Sequence, residues 1–133
     1  MQVLVDAPVW IDYFTGVSTP ETDLLDGLIG TAALVVADLT IAEVLYGLPD
    51  ERNRRLAEDA LRKFWLVRVG GVELSVKSAV SYHTLRARGV ETDPLTCLIA
   101  TYCLENGLAL LAREETAEPF VRHLGLGAPN TGQ

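Results

Sequence analysis

The sequence lacks the features that would place it in a membrane or outside the cell. It has no apolar run close to the about 20 residues that cross a bilayer, which argues against a transmembrane helix. Its first residues, Met-Gln-Val-Leu-Val-Asp, contain no basic stretch followed by an apolar one, which argues against a signal peptide. We therefore expect a cytoplasmic protein with no membrane partner.

Basic residues are also scarce. Two lysines occur, Lys63 and Lys77, and the formal net charge is −7. A passive nucleic-acid binder normally presents a basic surface, so this balance argues against that class. It permits an enzyme that gathers acidic groups around a cation. The cations of the segment 52–63 are predicted to form a solvated helix face paired with nearby acids, and RNA binding is their less favoured role.

Cysteine and histidine are too few to indicate a zinc site or a disulfide. Cys97 and Cys103 lie six residues apart on one predicted helix, a separation of roughly 9 Å that is too long for a disulfide. No histidine is suitably placed beside them for zinc, so both cysteines are predicted to be core residues. His83 and His123 are predicted to lie on the surface.

What the chain does contain is enough apolar sequence for one domain with a sizeable core, since 49% of its 133 residues are hydrophobic. Four short apolar runs predict buried strands, and segments of helical period separate them. This alternation predicts an α/β fold, a three-layer sandwich in which extra helices and a mainly parallel sheet of four or five strands pack together. The predicted strands are 3–5, 33–37, 66–69 and 108–111, and the predicted helices are 8–14, 20–29, 41–48, 51–64, 74–88, 94–105 and 115–124.

The end of the chain shows no such pattern. The segment 125–133 is predicted to be frayed, so any fifth strand would be short. We expect one domain over residues 1–126 and a flexible tail over 127–133.

Four acidic residues stand out because of their apolar surroundings or their place after a strand. Asp6 closes the run Val-Leu-Val, and Glu114 follows the last predicted strand. Asp93 precedes Pro94 and opens a helix, while Glu43 lies among the apolar residues of Ile-Ala-Glu-Val-Leu. Each has an ordinary alternative: a helix cap for Asp6 and Asp93, a favourable first-turn charge for Glu114, and a solvated helix edge for Glu43.

Taken together, these acids predict a metal site. Ligands of such folds bind beyond the carboxyl ends of the strands, where Asp6 and Glu114 are expected. Carboxylates gathered at one place normally need a cation, and a set made entirely of oxygen ligands suits Mg²⁺ or Mn²⁺.

The motifs around these acids resemble the PIN-domain family, in particular toxins of the VapC type. Val-Leu-Val-Asp6-Ala-Pro-Val-Trp-Ile-Asp-Tyr-Phe resembles the family's opening, and Ile-Ala-Glu43-Val-Leu-Tyr-Gly-Leu resembles its second motif. Cys97-Leu-Ile-Ala-Thr-Tyr-Cys-Leu-Glu-Asn-Gly-Leu-Ala-Leu-Leu is similar to the third motif and the strand after it, and Glu118-Pro-Phe to the end of the fourth. The resemblance extends over about residues 2–126.

The resemblance implies a PIN fold and a ribonuclease that depends on a divalent metal. It also implies a homodimer and neutralisation by a VapB-like antitoxin. Asp6 and Glu43 match the family's first two acids.

The other family positions are changed. Thr96 stands where the third acid is usual, and Asp93 lies three residues earlier, about 60° round the helix, so that it could substitute as a ligand. In the fourth motif Glu114 keeps an acid on a longer side chain, while Thr116 loses a second acid. Ala7 and Pro8 remove two hydroxyls after Asp6.

The reaction implied is hydrolysis of RNA phosphodiesters by metal-activated water. Asp6 is expected to be the principal ligand, Glu114 and Asp93 further ligands, directly or through water, and Glu43 the residue that positions water or acts as general base. The changed positions predict weaker catalysis than in an intact family member, down to none. The alternative is a catalytically degenerate PIN-like domain that binds an antitoxin or RNA.

Two other acidic α/β classes fit less well. A haloacid-type phosphoaspartyl hydrolase needs a second aspartate two residues after Asp6, where Pro8 stands. A response-regulator receiver needs a lysine after its last strand, and none follows Lys77.

Overall fold

Four short parallel strands form the centre of the structure, a computed structural model that describes residues 1–129. The order across the sheet is β3-β2-β1-β4, with each neighbouring pair parallel. The strands are β1 Gln2–Val5, β2 Ala33–Ala37, β3 Trp65–Val67 and β4 Ala109–Leu111. Parallel pairing brings all four carboxyl ends to one edge of the sheet.

Seven helices in residues 1–129 connect and cover these strands. Prolines occupy the first turn of α1, α2 and α6, where a missing N–H costs little. The helices are α1 Ala7–Thr15, α2 Pro20–Leu28, α3 Asp38–Tyr46, α4 Glu51–Leu61, α5 Val72–Arg86, α6 Pro94–Asn106 and α7 Glu114–Leu124.

Two helix boundaries differ from the sequence prediction by three residues, and the others by two or fewer. Helix α3 begins at Asp38 rather than at residue 41, and the Asp38 Oδ1 atom accepts hydrogen bonds from the N–H groups of Leu39 and Val69. Helix α4 ends at Leu61 rather than at residue 64, because tight turn bonds, such as Phe64 N–H to Leu61 O, lead directly into β3.

The sheet is buried on both faces along β1, β2 and β4, whereas β3 exposes Trp65 and Leu66, so the prediction of a buried third strand is wrong. Val3 and Val5 of β1 pack into one core with residues of α1 to α4, while Leu4 points to the opposite face and packs with residues of α5 to α7. This arrangement confirms the predicted three-layer α/β/α fold and explains why the strands read as continuous apolar runs.

The segment after α7 is more ordered than the sequence analysis expected. Leu126 is buried, and Gly127 forms an isolated parallel bridge with Ala109, accepting a hydrogen bond from the Leu110 N–H. The prediction of fraying from residue 125 onwards is therefore wrong for Leu126 and Gly127. The predicted tail also includes residues 130–133, which lie outside the described residues.

Two further predictions concern the state of the cysteines and the presence of membrane-spanning helices. Cys97 and Cys103 are free and buried in the second core, as predicted. Across residues 1–129, no helix has the length and apolar character needed to cross a membrane.

Candidate metal centre

Asp6 lies directly at the carboxyl end of β1, the inner strand between β2 and β4. Its N–H donates to Leu111 O of β4 (2.8 Å), and its carbonyl oxygen accepts from the N–H groups of Val9 and Trp10, so its backbone is fixed by both β4 and α1. Although Asp6 is the residue that caps α1, its side chain makes no capping hydrogen bond. The capping alternative therefore does not account for this carboxylate.

The Asp6 carboxylate is in an unfavourable environment for a charge. The residue is 5% exposed. Burial raises the pKa of Asp6 from 3.8 to about 6, against the opposing effect of the Ala7 N–H; the charge of Asp93 raises it further, and Arg113 lowers it. A buried carboxylate whose pKa is raised in part by another carboxylate is the electrostatic setting that a bound cation relieves.

Glu43 faces the same group of charges. It is half-buried on α3, and burial raises its pKa, as do the nearby charges of Asp6 and Asp93. Thr40, one turn earlier on α3, is fully buried, and its hydroxyl has no hydrogen-bond partner within residues 1–129. Glu43 is thus a partly buried carboxylate on which the charges of two other carboxylates act.

Asp93 has two roles at once. Its carboxylate caps α6, accepting from the N–H groups of Leu95 (3.2 Å) and Thr96 (3.1 Å) and from the Thr96 hydroxyl. Burial tends to raise the pKa of Asp93, but these hydrogen bonds outweigh it and lower the pKa. The capping alternative is therefore correct, yet the charge of Asp93 also reaches Asp6 and Glu43.

Glu114 is not brought to the other three acids. It is exposed at the first residue of α7 and lines a groove of about 380 Å³ together with Glu21 and Glu118. The carboxylates that raise the pKa of Glu43 are Asp6 and Asp93, and Glu114 is not among them. The structure thus assembles three of the four predicted carboxylates and leaves Glu114 at the rim.

The three remaining acids fit a hydrated cation rather than a closed protein cage. Within residues 1–129, no three Asp, Glu, His or Cys side chains lie close enough to hold a metal ion by themselves. Mg²⁺ keeps several of its waters and is usually bound through one or two carboxylates, so the donor set fits this ion with water completing the shell. The unpartnered Thr40 hydroxyl, one helical turn from Glu43, fits the same interpretation.

Two of the changed family positions lie together in a neighbouring pocket. Thr96 and Thr116 line a pocket of about 320 Å³ with Asp93 and Glu115. Hydroxyls therefore stand beside Asp93 where the family pattern has acids. This pocket carries less negative charge than the pattern would give, which weakens its attraction for a cation.

Arg113 and Asp12 also belong to this region, although no motif in the sequence indicates a role for either of them. Arg113 Nη2 lies 3.3 Å from Asp12 Oδ2, so the pair joins the start of α7 to α1. The signal that could have found Arg113 is its place two residues after β4, at the same edge of the sheet as Asp6.

Comparison with known proteins agrees with the motifs quoted above. The model of the family described as PIN domain matches residues 3–118. The chain belongs to the PIN-domain family. Members of this family are generally metal-dependent nucleases, which agrees at a coarse level with a carboxylate site at the end of β1.

A solved structure shows the same fold. A chain of the crystal structure of VapBC2 from Rickettsia felis bound to a DNA fragment from their promoter superposes with a TM-score of 0.76. The match covers 98% of this PIN domain and 98% of that chain, at 13% sequence identity. At that identity the likeness establishes the fold and not the activity.

The basic segment on α4 is largely occupied by local contacts. Arg55 pairs with Glu51 and Arg62 with Glu58, both four residues apart along the helix. Arg54 donates to backbone carbonyls at the end of the preceding loop. These contacts agree with the predicted solvated face and do not point to RNA.

Proposed function

We propose that this PIN domain is a VapC-type toxin that hydrolyses RNA phosphodiesters with the aid of Mg²⁺ or Mn²⁺. The observation that carries the proposal is the buried Asp6 carboxylate at the end of β1, with the charges of Glu43 and Asp93 acting on the same place. Such an arrangement costs stability unless a cation offsets it, and family membership supplies the reaction class.

The proposed roles follow from burial and charge. When bound, a divalent cation lowers the pKa of a coordinated water and offsets charge that develops on the phosphate. Asp6 would hold the cation directly because it is the most buried of the three acids. Glu43, half-buried with a raised pKa, is suited to accept a proton from the attacking water. Asp93, fixed by its capping bonds, would hold water of the cation's shell.

A second candidate is a PIN domain that has lost catalysis and acts through binding. The observations that favour it are the position of Glu114 outside the group of acids and the threonines beside Asp93. Either function would place the protein in the cytoplasm. The two candidates differ in whether the site takes up a cation and turns over RNA.

The proposed protein partners are a VapB-like antitoxin and a second copy of the chain. The structural neighbour is a VapBC complex, and an acidic chain with net charge −7 suits a basic antitoxin tail. An apolar stripe on α5 also supports a protein contact, since Val72, Val76 and Val80 are 77%, 61% and 63% exposed at spacings of four residues.

The test is cleavage of a structured RNA by the purified protein with Mg²⁺ or Mn²⁺. Asp6→Asn and Glu43→Gln should each reduce the rate by at least about 100-fold, the usual effect of losing a proton acceptor or metal ligand. Asp59→Asn is the matched control because it removes one exposed acid from α4.

The result also separates the two candidates. Loss of cleavage in the Asp6 and Glu43 variants but not in the control supports the nuclease. No cleavage by the unmodified protein, together with no heat in a metal titration, rules out the nuclease and leaves the binding function.

A further inference from the structure

An RNA substrate needs a cation from the protein at the point where its phosphate enters this acidic site. The chain as a whole is acidic, and three of the four arginines between residues 52 and 62 (Arg54, Arg55 and Arg62) are held by backbone carbonyls, Glu51 and Glu58. The proposed function therefore leaves open which group receives the phosphate.

Arg113 has the position that such a group requires. It follows β4 by two residues, and β4 is fixed beside Asp6 by the hydrogen bond from Asp6 N–H to Leu111 O. Within residues 1–129, Arg113 is the cation whose charge acts on Asp6. The side chain thus lies at the same edge of the sheet as the proposed metal centre.

The guanidinium also has donors to spare. Its one hydrogen bond in the described part of the chain runs from Nη2 to Asp12 Oδ2 at 3.3 Å, and its side chain is 47% exposed. A guanidinium carries five N–H donors in a planar fork that matches two phosphate oxygens. The Asp12 side chain, 14% exposed, accepts from one nitrogen of this fork, and about half of the Arg113 side chain remains exposed.

We infer that Arg113 is a substrate-binding residue that receives an RNA phosphate beside the metal centre, with Asp12 as the residue that positions it. This inference rests on the proposed function for its substrate class. It adds a residue that none of the quoted motifs selects.

The experiment measures binding of a labelled single-stranded RNA by fluorescence anisotropy, in the Asp6→Asn background. That background removes the principal metal ligand, so binding is measured without cleavage and a failure of the nuclease proposal does not affect the result. Arg113→Gln should weaken binding about 10-fold, the loss of a charge-assisted hydrogen bond, and should reduce the slope of log affinity against log salt by about 0.7. Arg113→Lys should restore the full salt slope but only part of the affinity. Lysine keeps the positive charge and lacks the planar set of donors of the guanidinium.

Two further variants exclude a merely structural role for the pair. Asp12→Asn removes the negative charge of the pair but keeps a side-chain oxygen that can accept from Arg113 Nη2, so the guanidinium stays positioned and RNA binding should tighten. Arg122→Gln removes an exposed arginine from the last turn of α7 and should leave affinity unchanged. Equal weakening by the Arg113→Gln and Asp12→Asn variants, an Arg113→Gln variant with unaltered affinity, or no RNA binding by the parent would each overturn the inference.

Discussion

The burial of Asp6 has a measurable consequence for stability that does not depend on RNA. Its pKa in the folded protein is about 6, against an ordinary value of 3.8, so the folded state binds a proton more tightly than the unfolded state. This is the reverse of the usual carboxylate case: the contribution of Asp6 to stability is greatest below about pH 4 and is lost as pH rises through about 6. The difference of about two pKa units corresponds to about 3 kcal/mol of unfolding free energy lost by neutral pH.

Asp6→Asn should remove this loss, because the amide carries no charge at any pH. With a chelator present, the free energy of unfolding of the variant minus that of the unmodified protein should rise by about 3 kcal/mol from about pH 4 to about pH 8. This corresponds to roughly 10 °C in Tm. The packing cost of the amide is the same at both pH values and cancels in this comparison. The variant also removes the repulsion between Asp6 and Glu43, which raises the pKa of Glu43. This adds to the stability gain of the variant at neutral pH.

The assay is urea unfolding of both proteins at several pH values, with and without Mg²⁺. A cation at 100 times its Kd should return about 2.7 kcal/mol to the unmodified protein and nothing to the variant. If the stability difference between the two proteins is constant across this pH range, the electrostatic argument for the site is wrong.

Four further variants test the remaining assignments. Glu114→Gln should leave the stabilisation by Mg²⁺ unchanged in a thermal melt, because Glu114 lies at the rim; a loss comparable with Asp6→Asn would return it to the ligand set. Thr96→Asp should lower stability in chelator and strengthen Mg²⁺ binding by at least about 10-fold in calorimetry, since it restores an acid beside Asp93. Glu43→Gln should flatten the rise of cleavage rate with pH, and an unchanged profile would exclude it as the proton acceptor. Val76→Glu should shift light-scattering mass to that of a monomer if the α5 stripe joins two copies, and an unchanged mass would exclude that contact.

The fold could be predicted closely because its signals are local. Each strand is a short apolar run, three of the four are buried on both faces, and β2 occupies the predicted residues 33–37 without change. The helix boundary at the start of α3, by contrast, involves a contact far along the chain. Asp38 begins α3 while accepting a hydrogen bond from Val69, which no local pattern reveals.

The site was harder to predict, because a sequence does not show on which side of a strand end a side chain lies. The sequence predicted one site for these acids because three of them follow strands or open helices at the same rim, and the charges of Asp6 and Asp93 do act on Glu43. Glu114 follows a strand as Asp6 does, yet it lies towards α2 and remains exposed. Arg113 is not indicated by any motif, and its contact with Asp12 joins residues 101 positions apart in the chain.

The two edge strands of the sheet are covered to different extents, and this has a practical consequence for handling the protein. The two edge strands are β4 and β3. Gly127 pairs with part of β4, whereas Trp65 and Leu66 of β3 are 69% and 47% exposed. Exposed edge strands can pair with edge strands of other molecules and cause aggregation. Strand β3 is only three residues long, which limits such pairing. Truncation of the chain before Gly127 would expose β4 as well, so truncated proteins should aggregate more readily than the full chain.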